Sequence, residues 1–326
     1  MFDDPTVLVL GAGASRPYGF PTSGELRKMI LGDSLTFFKG LGLQNYGKLA
    51  SEQEEDFLRC AQGEPGMLQL FRKVFHEAQR VSIDSFIAGR AVVSDPYDFS
   101  SIAKNAVSSV ILRCEANATL DGDWYQWLLE FLLAEGSNFA SGLLSIVTFN
   151  YDRSLQFYLL RAFQNALALD HAEAVKVLKR IEFVHVYGAV GALPVGSAPG
   201  IPFGHTNSCF MASQSIGLVT PRTLEPSQAR AQELLGAARR IIFLGFGFWK
   251  ENLDVLCPGP TTNNPIWDGK HVFASCYKLW RSTQNQSNGR FKFRGSPPQD
   301  VRPLINWGTV DQDIFAFVTH WNLKGS

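Results

Sequence analysis

The chain has 326 residues, and its 30 Lys plus Arg balance 30 Asp plus Glu, which excludes a global electrostatic pull toward nucleic acid or an anionic membrane. No uninterrupted apolar run approaches the roughly 20 residues of a membrane-spanning helix, and the length suits one large α/β domain or two small ones. Five widely spaced cysteines, Cys60, Cys114, Cys209, Cys257 and Cys276, include no Cys-x-x-Cys pair, so neither a disulfide framework nor a zinc ribbon is expected.

The N-terminal segment carries Asp3 and Asp4 and lacks the basic region of a signal peptide, so a soluble protein of the reducing cytoplasm is expected. The first element is a short apolar run, Thr6 to Leu10, which reads as a buried parallel strand leading straight into Gly11-Ala12-Gly13-Ala14-Ser15. A strand that ends in Gly-x-Gly can deliver backbone N–H groups to a phosphate, with Gly11 and Gly13 permitting close approach and Ser15 offering a hydroxyl. A full dinucleotide fingerprint would have a third glycine where Arg16 stands and an acidic residue about 20 residues on; neither is found. The residues fit either a nucleotide-binding turn or a turn that is glycine-rich for tightness alone. Thr22 or Ser23 can then cap a helix through Glu25 to Ile30, ending near Gly32.

Helical spacing recurs in Leu49–Cys60, Met67–Val81, Ile102–Cys114 and Trp124–Leu133, with no convincing strand between, and this predicts a helical insertion at about 35–140. Within it, Ser82 to Ile87 reads as a helix start capped by Ser82 or Asp84, with Phe86 buried. Leu143 to Phe149 is a strand that runs into Asn150-Tyr151-Asp152 and a helix from Ser154 to Leu169. Ligands gather at the carboxyl ends of parallel strands, and the two-residue period puts Thr148, Asn150 and Asp152 on one face there. Asn150 or Asp152 can equally cap the following helix.

Asp170–Arg180 reads as a helix and Ile181–Tyr187 as a strand ending at Gly188, with His185 and Tyr187 on one face. Residues 189–225 form a long loop in which His205 is either a second candidate base or an exposed loop residue. Pro226–Arg240 is helical, and Ile241 to Phe248 is a buried strand that ends in a second glycine turn at Gly245 and Gly247. His271–Tyr277 and Asp313–His320 read as two more strands. Between them Lys278, Arg281, Arg290, Lys292 and Arg294 interleave with Trp280, Phe291 and Phe293, a pattern that fits a solvated loop or a nucleic-acid or protein contact.

Gly11 to Ser15, followed by Gly19-Phe20-Pro21-Thr22 and Glu25-Leu26, resembles the opening of the sirtuin-like NAD-binding domains of bacterial antiphage defence proteins. Thr148-Phe149-Asn150-Tyr151-Asp152 looks like that superfamily's Thr-x-Asn-x-Asp motif, and His185-Val186-Tyr187-Gly188 falls where its catalytic histidine segment is expected. Ile83-Asp84-Ser85-Phe86 resembles a short Ile-Asp-x-Phe segment of the defence family. In many sirtuin-like proteins the histidine directly precedes the glycine, whereas here Tyr187 holds that position.

The resemblance implies an α/β fold with a Rossmann-like, mostly parallel sheet, one sirtuin-like domain over residues 1–326, and hydrolysis of NAD, the substrate, to ADP-ribose and nicotinamide without zinc. By the same resemblance Asn150 would position the ribose hydroxyls or the water, and His185 would be the general base. The NAD site would comprise Gly11, Ala12, Gly13, Ala14, Ser15, Phe20, Pro21, Asp152, Tyr187, Gly188, Gly245 and Gly247. Asp152 would accept a hydrogen bond from the nicotinamide carboxamide, and Gly245 and Gly247 would hold the adenosine side. Such proteins act as homo-oligomers or with a partner defence protein, such as a DNA-translocating ATPase or an Argonaute-like protein. The alternatives are a module that senses NAD or ADP-ribose without turnover, or a protein deacylase, whose usual four-cysteine zinc module has no counterpart in this spacing.

Overall fold

The computed structural model describes residues 4–61, 64–90, 97, 99–134, 142–194, 199–218, 225–256, 270–275, 314, 317 and 318, and the backbone of 305–307. Its sheet contains β1 (Thr6–Leu10), β2 (Leu144–Thr148), β3 (Glu182–His185), β4 (Arg240–Leu244), β5 (His271–Ala274) and β6 (Ile305–Trp307), all parallel and in the order β3-β2-β1-β4-β5-β6. β1 and β2 are buried along their whole length, as expected of short Val/Leu/Ile runs covered on both faces. Thr6 is in register with Leu144 on one side and Arg240 on the other, so β1, β2 and β4 end level. The order is that of a Rossmann-like α/β fold, and the chain changes direction across the sheet between β1 and β4, where such sheets open a crevice at their carboxyl edge.

After β1 come α1 (Ala12–Ser15), a 3-10 turn and α2 (Ser23–Ile30). Thr22 and Glu25 form a capping box at the start of α2, so the expected cap is Thr22. Six helices then precede β2: α3 (Ser34–Gly40), α4 (Tyr46–Cys60), α5 (Pro65–Glu77), α6 (Ile83–Arg90), α7 (Ser100–Ala116) and α8 (Asp123–Ala134). All but α3 follow the spacing read from the sequence. Phe71, Phe75, Phe86 and Phe99 pack against one another inside this insertion, with ring centroids 4.8 to 6.3 Å apart. The insertion is joined to the glycine turn through α8. Trp124 Nε1–H donates to the Ala14 carbonyl at 2.8 Å, and the Tyr125 backbone N–H donates to the Tyr18 hydroxyl at 2.7 Å while the two Tyr rings stack.

The remaining helices are α9 (Ser154–Ala166), α10 (His171–Leu178), α11 (Cys209–Ser213), α12 (Pro226–Ala237) and α13 (Lys250–Leu256). A buried ion pair ties three of these parts together. Arg153, 1% exposed, meets Glu115 of α7 through Nε at 3.0 Å and through a terminal nitrogen at 2.5 Å, and also donates to the Ile201 carbonyl. Glu115 in turn accepts the Gly204 N–H, so the loop after β3 is clamped onto the insertion.

Two expectations are corrected. The stretch read as a strand at Asp313–His320 is helical at its described residues Ile314, Phe317 and Val318, all buried. Their i, i+3, i+4 spacing was hidden in a continuous apolar run, which periodicity alone cannot assign, and β6 instead lies at Ile305–Trp307. Cys60 and Cys209 form a disulfide, with Cα atoms 6.1 Å apart across 149 residues of sequence. Linear spacing carries no information about a pair that α4 and α11 bring together in space. The basic and aromatic residues between Lys278 and Arg294, with Cys257 and Cys276, lie outside the described residues. Among the described residues no helix is long and apolar enough to cross a membrane.

Candidate functional site

A cavity of about 1120 Å³ opens at the carboxyl edge of the sheet, between the turns after β1, β2 and β4 and the insertion. Ten residues expected at the site line it: Gly11, Ala12, Gly13, Phe20, Pro21, Asn150, Asp152, Tyr187, Gly245 and Gly247. Ser15 and His185 line a second, much smaller cavity beneath, whose volume of about 10 Å³ admits at most a single water. Ala14 and Gly188 line neither. Ala14 is buried with its carbonyl on Trp124, and Gly188, at φ +71°, packs its backbone against Ser215.

The two glycine turns interlock. A Cβ on Gly11 would come within 2.6 Å of the Gly245 carbonyl oxygen, and one on Gly13 within 2.9 Å of the Gly245 Cα. Gly245 itself adopts φ +58°, which costs a side-chain-bearing residue about 1–2 kcal/mol. The Gly13 N–H donates to the Gly245 carbonyl at 3.0 Å, and the Ala14 N–H to the Gly11 carbonyl at 2.8 Å. Glycine is therefore required here for backbone packing between β1 and β4. Among the described residues the cation lining the cavity is Arg16, which stands in place of a third fingerprint glycine and is paired with Glu25 at 3.0 Å.

At the end of β2, Asn150 is 7% exposed and lines both cavities. Its backbone N–H donates to Thr148 Oγ1 at 3.1 Å and its Nδ2 to Ser15 Oγ at 3.0 Å. Its buried Oδ1 has no hydrogen-bond partner among the described residues. A buried acceptor left unserved costs about 1–3 kcal/mol, so an occupant with a hydroxyl or water proton fits this position. Asp152 Oδ1 accepts both the backbone N–H and the hydroxyl of Ser154, the first residue of α9. The N-cap of α9 is Arg153, so Asp152 is not the cap that the sequence allowed; it serves the first helical N–H from one residue further out and stays at the cavity wall.

His185 and Tyr187 do not share a face, because β3 ends at His185. The Nδ1 of His185 lies 3.0 Å from the Asn150 carbonyl, which only accepts, so Nδ1 carries the proton. Burial lowers the pKa of the ring below the ordinary histidine value, and the Asn150 contact opposes this only in part. The neutral ring thus buttresses Asn150 from behind and does not line the large cavity. Tyr187 does line it and donates its hydroxyl to Asn252 Oδ1 at 2.8 Å; burial raises its pKa, so it is no base at neutral pH. His205 is exposed and bonded to Ser208.

Among the lining residues that the sequence did not mark as site residues are Asp84, Tyr151 and Trp249. Tyr151 O–H donates to Asp84 Oδ1 at 2.5 Å. Trp249 is 49% exposed at the cavity, set there by a turn in which Phe248 holds φ +54° with its own ring buried. The available signal was a pair of large aromatics, Phe248 and Trp249, following a Gly-x-Gly turn at a strand end. Compared with protein-family models and with curated protein sequences, the chain gives no match.

Proposed function

We propose that the large cavity binds NAD and that the protein hydrolyses it to ADP-ribose and nicotinamide. The observation that carries this reading is the meeting of three sequence-distant segments, Gly11–Gly13, Asn150–Asp152 and Tyr187, at one cavity on the carboxyl edge of a Rossmann-ordered sheet. Its volume of about 1120 Å³ accommodates a dinucleotide. Arg16 supplies a cation for the pyrophosphate, and Trp249 supplies a flat apolar face for a base. The unserved Asn150 Oδ1 accepts a ribose hydroxyl or the attacking water.

Cleavage of the bond between nicotinamide and C1′ passes through an oxocarbenium-like cation, as in glycoside cleavage. Nicotinamide leaves readily, so the site's work is to orient the ribose and to admit one water. In this reading the protein is a regulated antiphage effector acting as a homo-oligomer or with a defence partner. A second reading, a dinucleotide sensor without turnover, is favoured by one feature: His185 stands outside the cavity and Tyr187 occupies its expected position.

Purified protein incubated with NAD, with nicotinamide and ADP-ribose followed by chromatography, tests both. Hydrolysis is expected, and Asn150→Ala is expected to lower it about 10²-fold or more through lost orientation. Binding without turnover would replace the hydrolase by the sensor, and neither binding nor turnover would remove both.

A further inference from the structure

We propose that Asp84 is the general base of the cavity, taking the proton from the water that attacks C1′ of the nicotinamide ribose while Tyr151 holds its carboxylate in position. This rests on the hydrolytic reading above. Asp84 stands in the first turn of α6, yet it does not cap that helix. Ser82 does so: its Oγ accepts the Ser85 N–H at 3.1 Å. The Asp84 carboxylate instead reaches out of the insertion to Tyr151, at the end of β2, and both residues line the cavity beside Asn150 and Asp152.

The support beneath it is rigid. Phe86, two residues on, is 1% exposed in the phenylalanine cluster of the insertion, so the α6 backbone is fixed by packing. Tyr151 is itself buried, and its short hydrogen bond, with one from the Asp84 backbone, holds the carboxylate in place. Although Asp84 faces the cavity, protein surrounds it, and this desolvation, with the neighbouring Glu251, pushes its carboxyl above the ordinary range while Tyr151 opposes the shift. A carboxylate raised in this way is a better proton acceptor, and its charge also favours the cationic transition state.

The step balances without a further reactant. The C1′–N bond breaks with both electrons going to the nicotinamide nitrogen, cancelling its positive charge. The water oxygen forms the new bond to C1′, and its proton passes to Asp84 and then to solvent. His185 has no part in this transfer because it lies in the separate small cavity.

The test is steady-state NAD hydrolysis by the full chain and its variants, with ADP-ribose binding measured alongside. Asp84→Asn should lower kcat by about 10²- to 10⁴-fold with KM and ADP-ribose affinity little changed. Tyr151→Phe should lower kcat less, by about tenfold. Asp84→Ala should be inactive alone and partly rescued by added formate, a response that a structural role would not produce. Wild-type kcat in Asp84→Asn, or no formate rescue in an Asp84→Ala protein that still binds ADP-ribose, would overturn the assignment. A wild-type protein that does not hydrolyse NAD would overturn the hydrolytic reading itself and this one with it.

Discussion

His185 and Asn150 are coupled through a single hydrogen bond, and its direction decides what the histidine can do. With its proton on Nδ1 and donated to the Asn150 carbonyl, the ring turns its lone pair toward Gln156, 3.4 Å away, whose amide N–H can serve it because the two ends of the amide are interchangeable. The folded protein therefore holds this ring neutral, and its pKa is lowered below that of the unfolded chain. Between the folded value and about 6.5 the unfolded chain binds more protons, so this contribution to stability is complete above about pH 6.5 and is lost as pH falls through that range. His185→Gln should flatten the loss of stability on acidification over this window, measured by urea unfolding at a series of pH values. An unchanged slope would mean that another group controls it. The same reading explains why the histidine motif was legible as a position but not as a role: a two-residue period says which way a side chain points only while the strand continues, and β3 stops at His185.

At the scale of elements, the contact between the β1 and β4 turns is the least tolerant feature of the site. Gly245→Ala would place a methyl group into the Gly13–Ala14 backbone at a left-handed φ of +58°, and a loss of about 3 kcal/mol or more is expected as a lowered urea midpoint. Gly236→Ala is the control, since that position in α12 has open space for a Cβ and should gain about 0.5–1 kcal/mol from helix propensity. Equal effects in the two variants would refute the interlock. The sequence announced each turn separately, because strand-Gly-x-Gly is a local pattern. It could not say that the glycines face each other, since residues 11 and 245 become neighbours only through the β1–β4 pairing.

Across the whole molecule, the insertion between β1 and β2 is not a separate lobe hung from the sheet. It grips the glycine turn through Trp124, the β2 turn through Glu115 and Arg153, and the loop after β3 through the Cys60–Cys209 disulfide. A link closing so long a loop restricts the unfolded chain, and it is expected to contribute about 2–4 kcal/mol. Digestion without reductant should yield a peptide joining Cys60 to Cys209. Cys209→Ser should lower the urea midpoint, and reductant should destabilise the wild type without affecting the variant. Absence of the linked peptide from oxidised protein would refute the pairing.

By itself the sequence determined the α/β class, the carboxyl-edge position of the two glycine turns and Asn150, and all but one of the insertion helices, because these are written in hydrophobic period, capping residues and turn glycines over short windows. Only the tertiary structure decided which residues share the cavity. It separated His185 from Tyr187, turned Asp84 from a helix cap into a cavity carboxylate, and joined Cys60 to Cys209. Each of these depends on contacts between residues distant in the chain, and such contacts are set by the packing of whole elements, which no local pattern encodes.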